Sequence, residues 1–120
     1  MTDRAALLGC LLVGDIFHAV CPNKASYICL VEAVTSDRIQ ARRVTTQEHV
    51  EFDRRTGLIT DGDVPCTIDS IAPLPVHIHN VMLGLDRKMR LEGDPERFKI
   101  NEEEKQALYF LYTYYPWNPL

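Results

Sequence analysis

No stretch of this sequence is long and apolar enough for a membrane-spanning helix; the longest apolar run, Ala5 to Val13, is short and broken by Gly9. No single sign of charge dominates either. Thirteen Lys and Arg stand against seventeen Asp and Glu, a formal net charge of −4, which supplies no bulk attraction for nucleic acid or anionic lipid. Glycine is scarce, six in 120 residues, and none falls in a GxGxxG pattern or opens a phosphate loop ending in Gly-Lys-Ser/Thr. Ser26, Ser36 and Ser70 lack the flanking glycines of a nucleophile elbow, and H-E-x-x-H is missing. These absences remove the enzymes that carry local signatures. A basic leader is also missing, because Asp3 offsets Arg4, although Leu7-Leu8-Gly9-Cys10 superficially resembles a lipoprotein cleavage box. The expectation is a cytoplasmic protein without membrane contact, whose cysteines (Cys10, Cys21, Cys29 and Cys66) stay thiols in a reducing compartment.

What is present is ordinary globular composition, 46% apolar and 25% charged, enough for one domain over residues 1–120 with its own core. The texture changes near residue 72. Before it, Val, Ile, Thr and Cys alternate with short polar turns, predicting strands at Ile16 to Val20, Tyr27 to Val34, Arg38 to Val44, His49 to Asp53 and Cys66 to Ile71. Tyr27 to Val34 is apolar on both faces apart from Glu32, the mark of a strand in the middle of a sheet or barrel wall. With Thr45-Thr46-Gln47-Glu48 as connection, Val44 would face His49, Ala41 would face Phe52 and Arg42 would face Glu51, both apolar sets then sharing one side. Arg43 alone breaks that alternation. Five short strands predict a small antiparallel barrel, SH3-like or related, over 1–72.

Residues 73–120 read as two helices, giving an α+β fold. Ile78, Val81, Met82, Leu85 and Met89 recur at helical spacing, with Arg87, Lys88 and Arg90 in the last turn. Asn101 as N-cap and Glu104 at the capping-box position start a second helix expected to reach Tyr115, before Pro116.

Several residue sets carry candidate chemistry. His18 and Cys21 form an H-x2-C pair with no second pair at zinc-finger spacing. The two could also serve as a base and a thiol nucleophile. His77 and His79 would share one face if that segment were a strand. No metal or cofactor is expected; these histidines read as polar residues at the surface near a strand–helix junction, and a metal- or thiol-dependent enzyme is the third reading. The second reading, the alternative to an interaction module, is nucleic-acid binding by a small barrel through Arg38, Arg42, Arg54 and Arg55. Against this, neighbouring arginines on a strand point to opposite faces, and stacking aromatics are scarce there. The spacing Arg38-x-x-x-Arg42 resembles the arginine motif of cyclic-di-GMP-binding PilZ domains, which are also small barrels. The second element of that family, D-x-S-x-x-G, is replaced by Asp69-Ser70-Ile71-Ala72-Pro73, and the function is not carried over.

The densest signal is aromatic. Tyr109, Phe110, Tyr112, Tyr114, Tyr115 and Trp117 crowd the end of the chain. Leu108, Leu111, Tyr112 and Tyr115 make one helical stripe, and Phe110 and Tyr114 another, roughly opposite. One small barrel cannot cover both. The reading is therefore a non-enzymatic interaction module that binds a protein partner, or a second copy of itself, through Phe110, Tyr114 and Trp117.

Overall fold

The computed structural model describes residues 4–22, 26–60, 64–71, 74–92 and 100–113. A short helix α1 (Arg4–Leu8) precedes β1 (Ile16–Val20), β2 (Ser26–Val34), β3 (Arg38–Arg43), β4 (His49–Asp53) and β5 (Thr67–Ser70); α2 (Val76–Glu92) and α3 (Glu102–Thr113) follow. The strands form one antiparallel sheet in the order β4-β3-β2-β1-β5. It is a meander whose last strand returns beside the first.

The sheet curls into a half-barrel. Phe17 on β1 and Phe52 on β4 are separated by two strands, yet their rings meet edge to face with centroids 5.4 Å apart. Residues 57–60 lie between the two outer strands. There the Asp53 N–H donates to the Leu58 carbonyl (2.8 Å) and the Ile68 N–H to the Gly57 carbonyl (2.8 Å). Gly57 sits at φ +78°, a backbone state that favours glycine, and this lets the chain fold back after β4.

Both faces of the sheet are covered. Inside the curl, Phe17, Ala19, Cys29, Val31, Ile39, Ala41, Val50, Phe52 and Ile68 pack with Leu8 of α1 and Leu11, which plug the open end. Outside, Ile16, Ile28, Leu30 and Val44 meet Val81, Met82 and Leu85 of α2 and Ala107 and Leu111 of α3. Strand β2 supplies both cores, as its two-sided apolar pattern predicts.

The β3–β4 register differs from the sequence expectation. Ala41 pairs with Val50, Arg42 with His49 and Gln40 with Glu51. The turn comes one residue early: the Gln47 N–H donates to the Arg43 carbonyl (2.7 Å), the Arg43 N–H to the Glu48 carbonyl (2.9 Å), and Gln47 takes φ +62°. The partners shift by two positions, so every side chain keeps its face. Arg43 does lie on the apolar side, where its guanidinium stacks 3.7 Å from the Tyr27 ring centroid and its Nη1 reaches Glu48 at 2.8 Å.

The cysteines correct a second expectation. Cys21 and Cys66 are joined in a disulfide, while Cys29 is a buried thiol and Cys10 an exposed one. Val20 pairs with Thr67, so the next rung of the β1–β5 ladder brings Cys21 and Cys66 face to face. Spacing along the chain carries no hint of that pairing. A third difference is α1, whose residues read only as an apolar run.

The capping box of α3 forms as predicted: the Glu104 N–H donates to Asn101 Oδ1 (2.8 Å) and the Asn101 N–H to Glu104 Oε1 (2.9 Å). Described helix ends at Thr113; the expected extension to Tyr115 lies outside the described residues. Because Phe52 fills the curl against Phe17, Phe52→Ala is expected to lower unfolding free energy by about 3–5 kcal/mol, read by urea denaturation with an unchanged m-value.

Candidate functional site

A buried ion pair seats the helical layer on the sheet. Asp86 of α2 is 2% exposed. Its carboxylate takes Arg42 Nε at 2.8 Å and Arg42 Nη2 at 2.6 Å, a two-pronged contact from β3, and a further bond from Gln47 Nε2 at 2.9 Å. The remaining Arg42 prong, Nη1, reaches Glu32 Oε1 on β2 at 2.8 Å. Glu32 Oε2 in turn lies 3.0 Å from His49 Nδ1 on β4. Burial pushes the Asp86 carboxyl up, but the Arg42 and Gln47 hydrogen bonds outweigh it and hold it below the ordinary Asp value. Glu32 is likewise held low, by Arg42 and His49 against its own desolvation. Helix α3 is fixed to α2 by a second buried carboxylate: Lys88 Nζ donates to Glu104 Oε1 at 2.8 Å.

This arrangement orients α3. Its inner side carries Ala107 and Leu111, both buried, with Leu108 and Phe110 partly buried against the same core. Its outer side carries Tyr109, 60% exposed, and Tyr112, 43% exposed. Three positions apart, the two tyrosines are neighbours on the helix surface. Tyr112 is amphipathic in its placement. The residue is partly exposed, while desolvation pushes its phenol pKa up despite a hydrogen bond with the Ile28 backbone. Of the residues singled out from sequence, Phe110 belongs to the inner side, and Tyr114 and Trp117 lie outside the described residues. Tyr109 was part of the aromatic crowd but not of the chosen set. The burial of Ala107 and Leu111 distinguishes it, because these two define the inner side of α3 and leave Tyr109 on the other.

The arginines do not form a free basic stripe. Arg38 lies among Asp37, Glu51 and Asp53 at 3.9, 3.5 and 3.4 Å. Arg42 is closed between Asp86 and Glu32 rather than set against Glu51. Arg54 turns inward and donates to the backbone carbonyls of Gly9 (2.8 Å), Leu11 (3.3 Å) and Thr35, tying α1 and the β2–β3 turn to the barrel. Arg55 is exposed.

The histidines are separated as well. His77 and His79 fall in the first turn of α2, where two positions are about 200° apart around the axis, not on one strand face. His18 Nδ1 lies 2.5 Å from Asp69 Oδ1, and Cys21 is held in the disulfide and has no thiol to offer. The buried Cys29 thiol is pushed up to about 12 by desolvation. Among the described residues no group of three or more His, Cys, Asp or Glu is placed to hold a metal ion, and no described helix is long and apolar enough to cross a membrane.

No protein-family model, curated protein or solved structure matches the chain. Function must be argued from geometry.

The Arg42–Asp86 contact generates a paired expectation. Asp86→Ala leaves a largely buried guanidinium with Glu32 alone and is expected to cost about 3 kcal/mol, measured by chemical denaturation. Because Asp86 and Glu32 are held low in the folded state, their contribution is present above the ordinary carboxylate range and is lost as pH falls through the folded-state values. Stability of Asp86→Asn should therefore decline less steeply in acid than that of the parent chain.

Proposed function

We propose that the chain is a non-enzymatic interaction module that self-associates through the outer face of α3. The observation that carries this reading is the exposure of Tyr109 beside Tyr112 on a helix whose opposite side is already buried. A tyrosine offers large contact area, little side-chain entropy to lose and a polar tip, the properties favoured at protein interfaces. An isologous contact, in which one α3 lies against the α3 of a second copy, sets this face against itself and covers both ring pairs at once. Phe110 supports this face from beneath; Tyr114 and Trp117, also expected to bind a partner, lie outside the described residues.

The SH3-like assignment of the half-barrel belongs to the proposal too, supported by the return of β5 beside β1 after a four-strand meander. So does a cytoplasmic location. In that compartment the Cys21–Cys66 bond would stand against a reducing thiol pool.

Sedimentation equilibrium over a wide concentration range tests the reading. The parent chain is expected to pass from monomer to dimer, and Tyr109→Ala to weaken dimerisation about tenfold, roughly 1.4 kcal/mol, without lowering the melting temperature. A parent chain that stays monomeric at its solubility limit overturns it.

A further inference from the structure

We propose that the cleft between the start of β1, the end of β5 and the first turn of α2 binds a small phenol. Helix α3 lends none of its described residues to this cleft, so binding here is independent of self-association. About 150 Å³ of space is lined by Asp15 and Ile16, by Ile71 just after β5, by Leu74, and by His79 of α2. Ile16 and Leu74 are buried members of the outer core, and Ile71 packs beside the inner one. The cleft is therefore a continuation of an aliphatic surface. A cavity of this volume walled by aliphatic side chains holds one six-membered carbon ring. A ring placed there gains dispersion contacts that the wall otherwise forgoes.

Two polar side chains set the head group. Asp15 is fixed by its own turn: its N–H donates to the Leu12 carbonyl (3.0 Å), its carbonyl accepts from the Val31 N–H (2.9 Å), and its Oδ2 accepts from the Leu12 N–H (2.8 Å). Gly14, at φ +93°, makes that turn possible. The carboxylate is held in place before any ligand arrives, and its Oδ1 has no partner among the described residues. His79 is placed by α2, where its N–H donates to the Pro75 carbonyl (2.9 Å). Its ring also has no partner among the described residues.

A hydroxyl is the head group that these two select. A carboxylate only accepts hydrogen bonds, whereas an imidazole N–H donates one. A phenol O–H donates to Asp15 Oδ1 while its oxygen accepts from the His79 ring, whether that ring is neutral or protonated. An anion is repelled by Asp15, and an ammonium by a protonated His79. A bare hydrocarbon ring fills the aliphatic wall but strips water from the carboxylate and returns no hydrogen bond. A phenol satisfies wall and carboxylate together, and an apolar lining with a few convergent polar groups is the pattern of small-molecule sites.

Titration of the isotope-labelled full chain with phenol, followed by amide NMR shifts, tests this. Saturable shifts centred on Asp15, Ile16, Ile71 and His79 are expected, with a Kd of about 1 mM. Toluene, which has the same shape without the hydroxyl, and benzylammonium should each bind at least roughly tenfold more weakly. His79→Ala, at a half-buried position whose ring makes no bond within the described fold, should weaken phenol about fivefold. Asp15→Asn keeps an oxygen for the Leu12 N–H and should weaken phenol about tenfold. Shifts that stay linear to about 20 mM phenol, toluene or benzylammonium binding as tightly as phenol, or unchanged binding in both variants would each overturn the assignment.

Discussion

A sheet that is apolar on both faces must be covered on both, and the Arg42–Asp86 pair decides how the outer cover sits. Apolar contact between Val81, Met82 and Leu85 and the sheet is non-directional and would tolerate sliding of α2. The two-pronged guanidinium–carboxylate contact does not tolerate it, because both Nε and Nη2 must meet the same carboxylate. Gln47, placed by its left-handed backbone, donates to that carboxylate from the β3–β4 turn. A buried pair of this kind adds little net stability over an apolar substitute; its contribution is to choose one arrangement among several of similar burial. Lys88 and Glu104 repeat the device between the helices, so the outward direction of Tyr109 is fixed through two charged contacts and a capping box.

Much of the fold is legible in the residues. Alternation placed the five strands, and the two-sided apolar character of Tyr27 to Val34 placed β2 at the junction of both cores. Asn101 and Glu104 marked the start of α3 because the capping box is a local hydrogen-bond exchange. What escaped is one unusual turn and the non-local pairings. The β3–β4 register depended on a Gln at positive φ, which no propensity favours. Arg42 was expected to answer a cross-strand carboxylate, yet its strongest partner lies on α2, 44 residues away. The disulfide likewise follows from the return of β5 beside β1, a fact of topology and not of spacing. An expectation drawn from compartment alone pointed the other way.

The candidate interface was legible only in part. Aromatic crowding at the end of the chain pointed to α3, but assigning its sides required knowing which of its residues are buried. Ala107 and Leu111 settle that, and Phe110 goes inward while Tyr109 goes outward. The basic pairs illustrate the converse: charged residues adjacent in sequence acquire separate structural duties, Arg42 seating a helix and Arg54 gathering carbonyls from the chain's N-terminal segment.

The place of β5 also bears on birth at the ribosome. Strand β1 is made early, and its outer neighbour appears only after β2, β3 and β4 have been synthesised. At about 5–20 residues per second, the nascent chain carries β1 with one bare edge for several seconds. During that interval unpaired N–H and C=O groups beside Phe17 and Ala19 offer a docking line to any passing strand.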